Sequence, residues 1–164
     1  MSRTPRSERP EMPAGYLEPR LLPWTWAEVR LTESQNYWIA TVSERGAPHA
    51  RPVWGVWLEN GFYFSSGSRI RSHLERCPAV SVNLESGDEC VILEGRAHVL
   101  QDEALTRRVV ELYNEKYRWQ MEARPGEFFE VRPRRVFAWL CDGSGLDGGA
   151  LFHQTATRWA FDER

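Results

Sequence analysis

The sequence predicts a mainly β domain with flanking helices (α+β), an antiparallel barrel or sandwich, and three observations carry that expectation. Five strand-like stretches follow one another between residues 36 and 100, most of them joined by short turns. A parallel sheet would need a long crossover after each strand instead. Helical periodicity is confined to separate runs, chiefly 26–34 and 102–117. The length of 164 residues, with 41% hydrophobic and 27% charged content, matches one soluble domain able to bury a core.

The elements follow in order. Residues 1–15, rich in Arg, Pro, Ser and Glu, read as a disordered arm, leaving 16–164 as the single domain. At 26–34 a helix is predicted, with Thr25 and Glu28 as a capping box and Trp24 stapled against Val29. "NYWIATVS" (36–43) is β-rich, "ERG" turns the chain, and 47–58 reads as one long strand. "ENG" (59–61) signals a hairpin into "FYFSS". A helix-like run follows at "SRIRSHLER", and then come strands at 79–85 and 89–100.

Helix 102–117 has Asp102 as its cap and Leu105, Val109, Leu112 and Lys116 or Tyr113 along one side. Strand 128–140 contains Pro133, which implies an edge or a bulge. "CDGSGLDGG" reads as loop, and "LFHQTATRWAF" as a last extended piece.

Several function classes are excluded. The net charge of −2 gives no general pull toward nucleic acid or acidic membranes, and "VRPRRV" (131–136) reads as a solvated or interface edge. No apolar run reaches the roughly 18 residues of a spanning helix. The N-terminus lacks the apolar core of a secretion signal, which places the protein in the cytoplasm. Cys77, Cys90 and Cys141 form an odd set without CxxC spacing and read as free thiols. The histidines show no metal-ligand spacing, so no metal site is expected. GxSxG, HExxH, P-loop and GxGxxG patterns are all missing.

Eight tryptophans need a core, an interface or a planar ligand to cover them. Trp54 and Trp57, three apart on a strand, face opposite sides, so one can stack near a ligand while the other packs the core or a dimer seam, packing being the commoner fate of any single tryptophan. His49 and His153 are available as proton donors, although a lone histidine is more often structural.

"FSSGSRIRSHLERCP" (64–78) is the stretch with the most chemistry. Ser65, Ser66, Ser68, Arg69 and Arg71 offer hydroxyls, guanidinium groups and helix-start N–H groups, the donors that hold a phosphate, and Gly67 permits close backbone approach. The plainer alternative is that Ser68 only caps a helix while both arginines are solvated.

The ordered set "LPWTWAEVRL", "NYWIATVSERGAPHARPVWGVW", "SSGSRIRSHL", "VILEGRAHVL" and "TATRW", spanning Leu22 to Phe161, resembles the pyridoxamine-5′-phosphate-oxidase-like flavin-binding family. It is similar in particular to the small branch whose members use FMN or the deazaflavin F420. The resemblance implies a six-stranded antiparallel split β-barrel and a homodimer with cofactor sites at its interface. It further implies oxidoreductase chemistry on a small-molecule substrate, and the charge balance and apolar pattern above give no nucleic acid or membrane partner.

By the same resemblance, Arg51, Pro52, Val53 and Trp54 lie along the isoalloxazine ring, and Ser65 and Ser66 end the next strand. Ser68 and Arg69 meet the phosphate, while Arg158 and Trp159 come from the partner subunit. The chain departs from the family's S-R-K-x-R-N-L, having Ile70 for the lysine, Ser72 for the second arginine and His73 for the asparagine. Arg71 or His73 would have to compensate. A non-catalytic flavin- or haem-binding module on the same barrel is the alternative.

Overall fold

The computed structural model describes residues 4–11 and 18–161, the side chain of Ser68 excepted. In chain order the first elements are β1 (Arg6–Glu8), α1 (Trp24–Glu33), β2 (Tyr37–Val42), β3 (Pro48–Val53), β4 (Gly55–Leu58), β5 (Gly61–Ser65) and α2 (Ser68–Arg76). The rest are β6 (Ala79–Asn83), β7 (Glu89–Val99), α3 (Glu103–Tyr117), β8 (Phe128–Leu140), α4 (Leu146–Thr155) and β9 (Thr157–Ala160).

Every strand pairing is antiparallel. Following the pairs gives β3–β2–β6–β7–β8–β5–β4, and β4 continues β3 across Trp54. The sheet curls into an open six-stranded split barrel in which β3 and β4 are two halves of one bent strand. The long β8 serves two neighbours: residues 128–131 pair with β5, and residues 135–138 pair with β9. That division splits the barrel, and β1 extends it beyond β9.

Period-two burial fills the interior. Ile39, Phe62, Phe64, Val82, Leu93, Phe129, Val131 and Val136 point inward, and α1 covers one mouth with Trp24, Ala27 and Leu31. A second cluster joins Val56, Tyr63 and Phe128 to the face of α3 carrying Val109, Val110, Tyr113 and Tyr117. No helix among the described residues is long and apolar enough to cross a membrane.

Two local predictions hold for stated reasons. Glu59 and Asn60 both take positive φ (50° and 60°), which is the type I′ geometry that suits the twist of a two-residue hairpin. Pro133 sits at a bulge: Glu94 pairs with Arg135 but Gly95 pairs with Pro133, so Arg134 is extra. Glycine is required at 95, because a Cβ there would lie 2.3 Å from the carbonyl oxygen of Arg132. The strand itself is central, not an edge.

Other expectations need correction. Residues 6–8 of the supposed disordered arm form β1, held by β9 pairing and by the Glu8–Arg158 ion pair at 2.7 Å. The arm's residues 1–3 and 12–15 lie outside the described ones. Helix α1 starts earlier, at Trp24, with Pro23 as its cap and no side-chain capping bond. Val29 is exposed, while Trp24 turns inward to Trp57, Trp159 and Phe161 at 5.3–6.1 Å, so the staple does not form.

Strand 47–58 breaks at Trp54. On α3 the side facing inward carries Thr106 and Val110 in place of Leu112, which is exposed. Residues 146–155 are helical where loop and strand were expected. Their glycines argue against helix, but packing overrides propensity. Phe152 meets Trp139 edge-on at 5.4 Å, and the Thr155 hydroxyl accepts from the Leu140 N–H at 2.9 Å.

Candidate functional site

Where β3 bends into β4, its chain faces the turn that leaves β5. A cleft of about 380 Å³ opens there, lined by Arg51, Pro52, Val53, Trp54, Ser65, Ser66, Gly67 and Tyr113. That volume lies within the range of small-molecule sites. Six sequence-predicted residues, Arg51, Pro52, Val53, Trp54, Ser65 and Ser66, thus come together from two segments.

Among the described residues, strand β3 has β2 on one side and no strand on the other, which leaves a row of its backbone N–H and C=O groups without a strand partner. Such an edge can read the polar rim of a flat heterocycle through main chain alone. Helix α2 begins beside it: Gly67 is the cap position and Ser68 the first helical residue, so the plainer reading of Ser68 as the cap does not hold. The first-turn N–H groups and the positive end of the helix are available to an anion. A Cβ built on Gly67 would meet nothing within 4 Å, so the approach is open.

The opposite wall is aromatic. Trp54 stacks on Tyr117 at 4.6 Å with 7° between the planes, and Tyr113 and Trp119 flank it at 6.4 and 6.1 Å. Tyr117 is fixed from behind, its hydroxyl accepting from the Gly55 N–H at 2.9 Å and reaching the Gly55 carbonyl at 2.8 Å. Burial pushes the Tyr117 phenol up to about 12, so it stays neutral at physiological pH. The bend at Trp54 is thereby held by α3. Tyr113 was not foreseen as a cleft residue, although a tyrosine pair four apart on α3 was a visible signal.

Lys116 lies beneath this wall, its ammonium donating to the Tyr37 hydroxyl (2.8 Å) and to the carbonyls of Thr32 (3.1 Å) and Gly55 (3.2 Å). Burial lowers its pKa from 10.5 to about 8. Between those values the unfolded chain holds a proton that the folded chain has released, so stability rises with pH there. Above pH 10 the gain is opposed, because buried Tyr37 resists an ionisation the unfolded chain allows. Urea midpoints should therefore rise from pH 7.5 to pH 9.5 in the wild type and fail to rise in Lys116→Met, where the buried Cys90 thiol, pushed up to about 11, is left to oppose.

The remaining predicted residues divide. Arg69 is exposed on the first turn of α2, and its charge, with that of Arg51, is felt at His49. The side chain of Ser68 lies outside what is described. Arg71 turns away: it donates to the Gly126 carbonyl at 2.9 Å and lies over Phe129 at 4.9 Å, bracing the loop before β8. Ile70, in the lysine's place, is fully buried and packs in the core with Leu74. Trp159 is also fully buried, edge-on to Trp24 at 5.4 Å, so it cannot reach a neighbouring subunit's ligand. The Arg158 guanidinium is held by Glu8 and does not line the cleft.

An unpaired strand edge, an aromatic wall and a cationic helix start suit a planar molecule with an anionic tail. Several known proteins share this architecture. A FAD-binding protein from Mesorhizobium loti superposes with a TM-score of 0.56 at 19% identity, covering 85% of this chain and 96% of its own. An F420 reductase gives 0.53 at 18% identity, covering 76% and 98%. The heme storage protein HutZ from Vibrio cholerae gives 0.55 at 19%, covering 70% and 89%. At these identities they establish the fold. A comparison with curated proteins finds no match. The pyridoxamine 5′-phosphate oxidase profile, however, matches residues 26–140, running from α1 through the cleft to the end of β8, and on that match the chain belongs to the pyridoxamine 5′-phosphate oxidase family.

Proposed function

We propose that the protein is a flavin-dependent oxidoreductase, with FMN as the cofactor and F420 as the alternative. It would pass a hydride between that cofactor and a small organic substrate. The observation that carries the reading is the convergence of the β3 edge, the Ser65–Gly67 turn and the start of α2 on one cleft. The flavin, when bound, supplies the redox chemistry. The chain's part is to hold it: main chain from Arg51 to Val53 for the ring's polar rim, Trp54 for its flank, and Ser65, Ser66, Ser68 and Arg69 for the phosphate. Relatives of this architecture include a FAD-binding protein and an F420 reductase, which supports the cofactor class.

A homodimer is part of this proposal. Trp38 and Val42 of β2 and Trp54 after β3 are exposed apolar side chains beside a free strand edge, the composition of a subunit seam. Cytoplasmic location is proposed from the free thiols Cys77, Cys90 and Cys141.

A second reading, a non-catalytic flavin or haem binder, is favoured by one feature: among the described residues, the cleft lining contains no carboxylate or imidazole. Burial raises the pKa of Tyr113, the phenol that lines it, and so keeps that group protonated. Titration with FMN and with F420, followed by stopped-flow reduction with NAD(P)H or turnover with reduced F420, separates the two. The oxidoreductase reading expects a tight 1:1 complex per subunit and reduction of the bound cofactor. Binding without reaction to any reductant supports the binder, and no binding of either cofactor refutes both flavin readings.

A further inference from the structure

The cationic end of the cleft continues past Arg51 and Arg69. His49 lies two residues from Arg51 on β3, so both share a face of the strand. Across from them, Arg69 and His73 are four apart on α2 and share a helix face. The His49 and His73 rings meet edge to face at 5.5 Å. The Thr41 hydroxyl of β2 sits 3.0 Å from Nδ1 of His73 and 3.5 Å from the carbonyl oxygen of His49. The Nε2 atom of His49 is buried and has no hydrogen-bond partner among the described residues.

On α2 and the turn after β2, Glu75 pairs with Arg71 and Glu44 with Arg76. Burial first, and then the charges of Arg69, His73 and Arg51, lower the proton affinity of His49, and among the described residues the charges acting on it are basic. Basic groups gathered without a counter-charge repel one another unless an anion is present.

We infer that His49 and His73 complete an anion site with Arg51 and Arg69, and that a phosphate group enters it together with a proton taken up by His49. This rests on the proposed cleft but extends it, since these imidazoles would replace the charge missing at Ile70 and Ser72. His73, braced by Thr41, would orient the ring it meets. An incoming phosphate cancels the repulsion from the two arginines and restores the proton affinity of His49.

The consequence has a distinctive sign. Arginines alone do not titrate, and a phosphate monoester loses charge below its second pKa near 6, so their grip would only weaken on acidification. Uptake of one proton reverses that slope above pH 6, with a limit of about tenfold per pH unit.

The test uses inorganic phosphate and FMN on the full chain. Imidazole NMR should show the His49 titration midpoint moving up in saturating phosphate, and the Kd counted on the phosphate dianion should fall about three- to tenfold from pH 8 to pH 6.5. His49→Asn and His73→Asn should flatten that slope, and FMN should follow the same pattern while riboflavin, which lacks the phosphate, does not. An unmoved His49 midpoint, or a pH-independent Kd in the wild type, overturns the inference whether or not the variants fold. Phosphate coupling without any FMN binding would leave the anion site standing and refute the flavin assignment. FMN binding without pH coupling would do the reverse.

Discussion

Trp159→Ala should lower the unfolding free energy by about 3–5 kcal/mol, the range for removing a large buried aromatic. The indole is fully buried, and it meets Trp24 edge-on at 5.4 Å between α1 and β9. Truncation leaves a void under the helix that covers the barrel mouth, and neighbours as stiff as tryptophan and phenylalanine cannot refill it. Denaturant unfolding measures the loss directly. Trp159→Phe should cost less, since it keeps a ring and removes a buried indole N–H that has no partner among the described residues. A role for Trp159 in a partner's cofactor site predicts something different: unchanged stability with weakened flavin binding. That outcome would restore the sequence-based assignment.

The fate of Trp159 explains where the sequence was readable and where it was not. The run of antiparallel strands, the hairpin at Glu59–Asn60 and the bulge at Pro133 were legible because each depends on local chemistry: alternation, left-handed turn residues and a missing N–H. The cleft was half legible for a similar reason. Arg51–Trp54 and Ser65–Ser66 lie in short segments whose strand and turn character placed them, and they do meet.

What failed depended on contacts between distant parts of the chain. No local rule says that Trp159 faces Trp24 or that Arg71 reaches the carbonyl of Gly126. None says that three residues of a polar arm pair with β9. Helix α4 was hidden because glycines at 148 and 149 lower its propensity, while Phe152 and Thr155 secure it against β8. Tyr113 was read as helix packing, and it is buried, yet the same ring lines the cleft.

Arg69→Ala carries the second large expectation, a loss of FMN affinity of about ten- to hundredfold, the 1.5–3 kcal/mol of one charged hydrogen bond. Two facts concentrate this effect on Arg69. Arg71, its neighbour in the same turn, is already committed to Gly126 and Phe129 and cannot take over. Ile70, where a second cation would stand, is sealed in the core. The exposed Arg69 at the start of α2 is then the chief helix-borne guanidinium able to meet a phosphate, supported from β3 by Arg51. Arg124→Ala is the matched control: it removes the same charge from an exposed pair with Glu122, so it changes the net charge without touching the cleft. Fluorescence titration of both variants at low and moderate salt separates a specific contact from general attraction, because only the latter would affect the two variants alike. Equal FMN affinity in both would mean that the guanidinium at the start of α2 does not hold the phosphate, and the cradle at the end of β5 would lose its purpose.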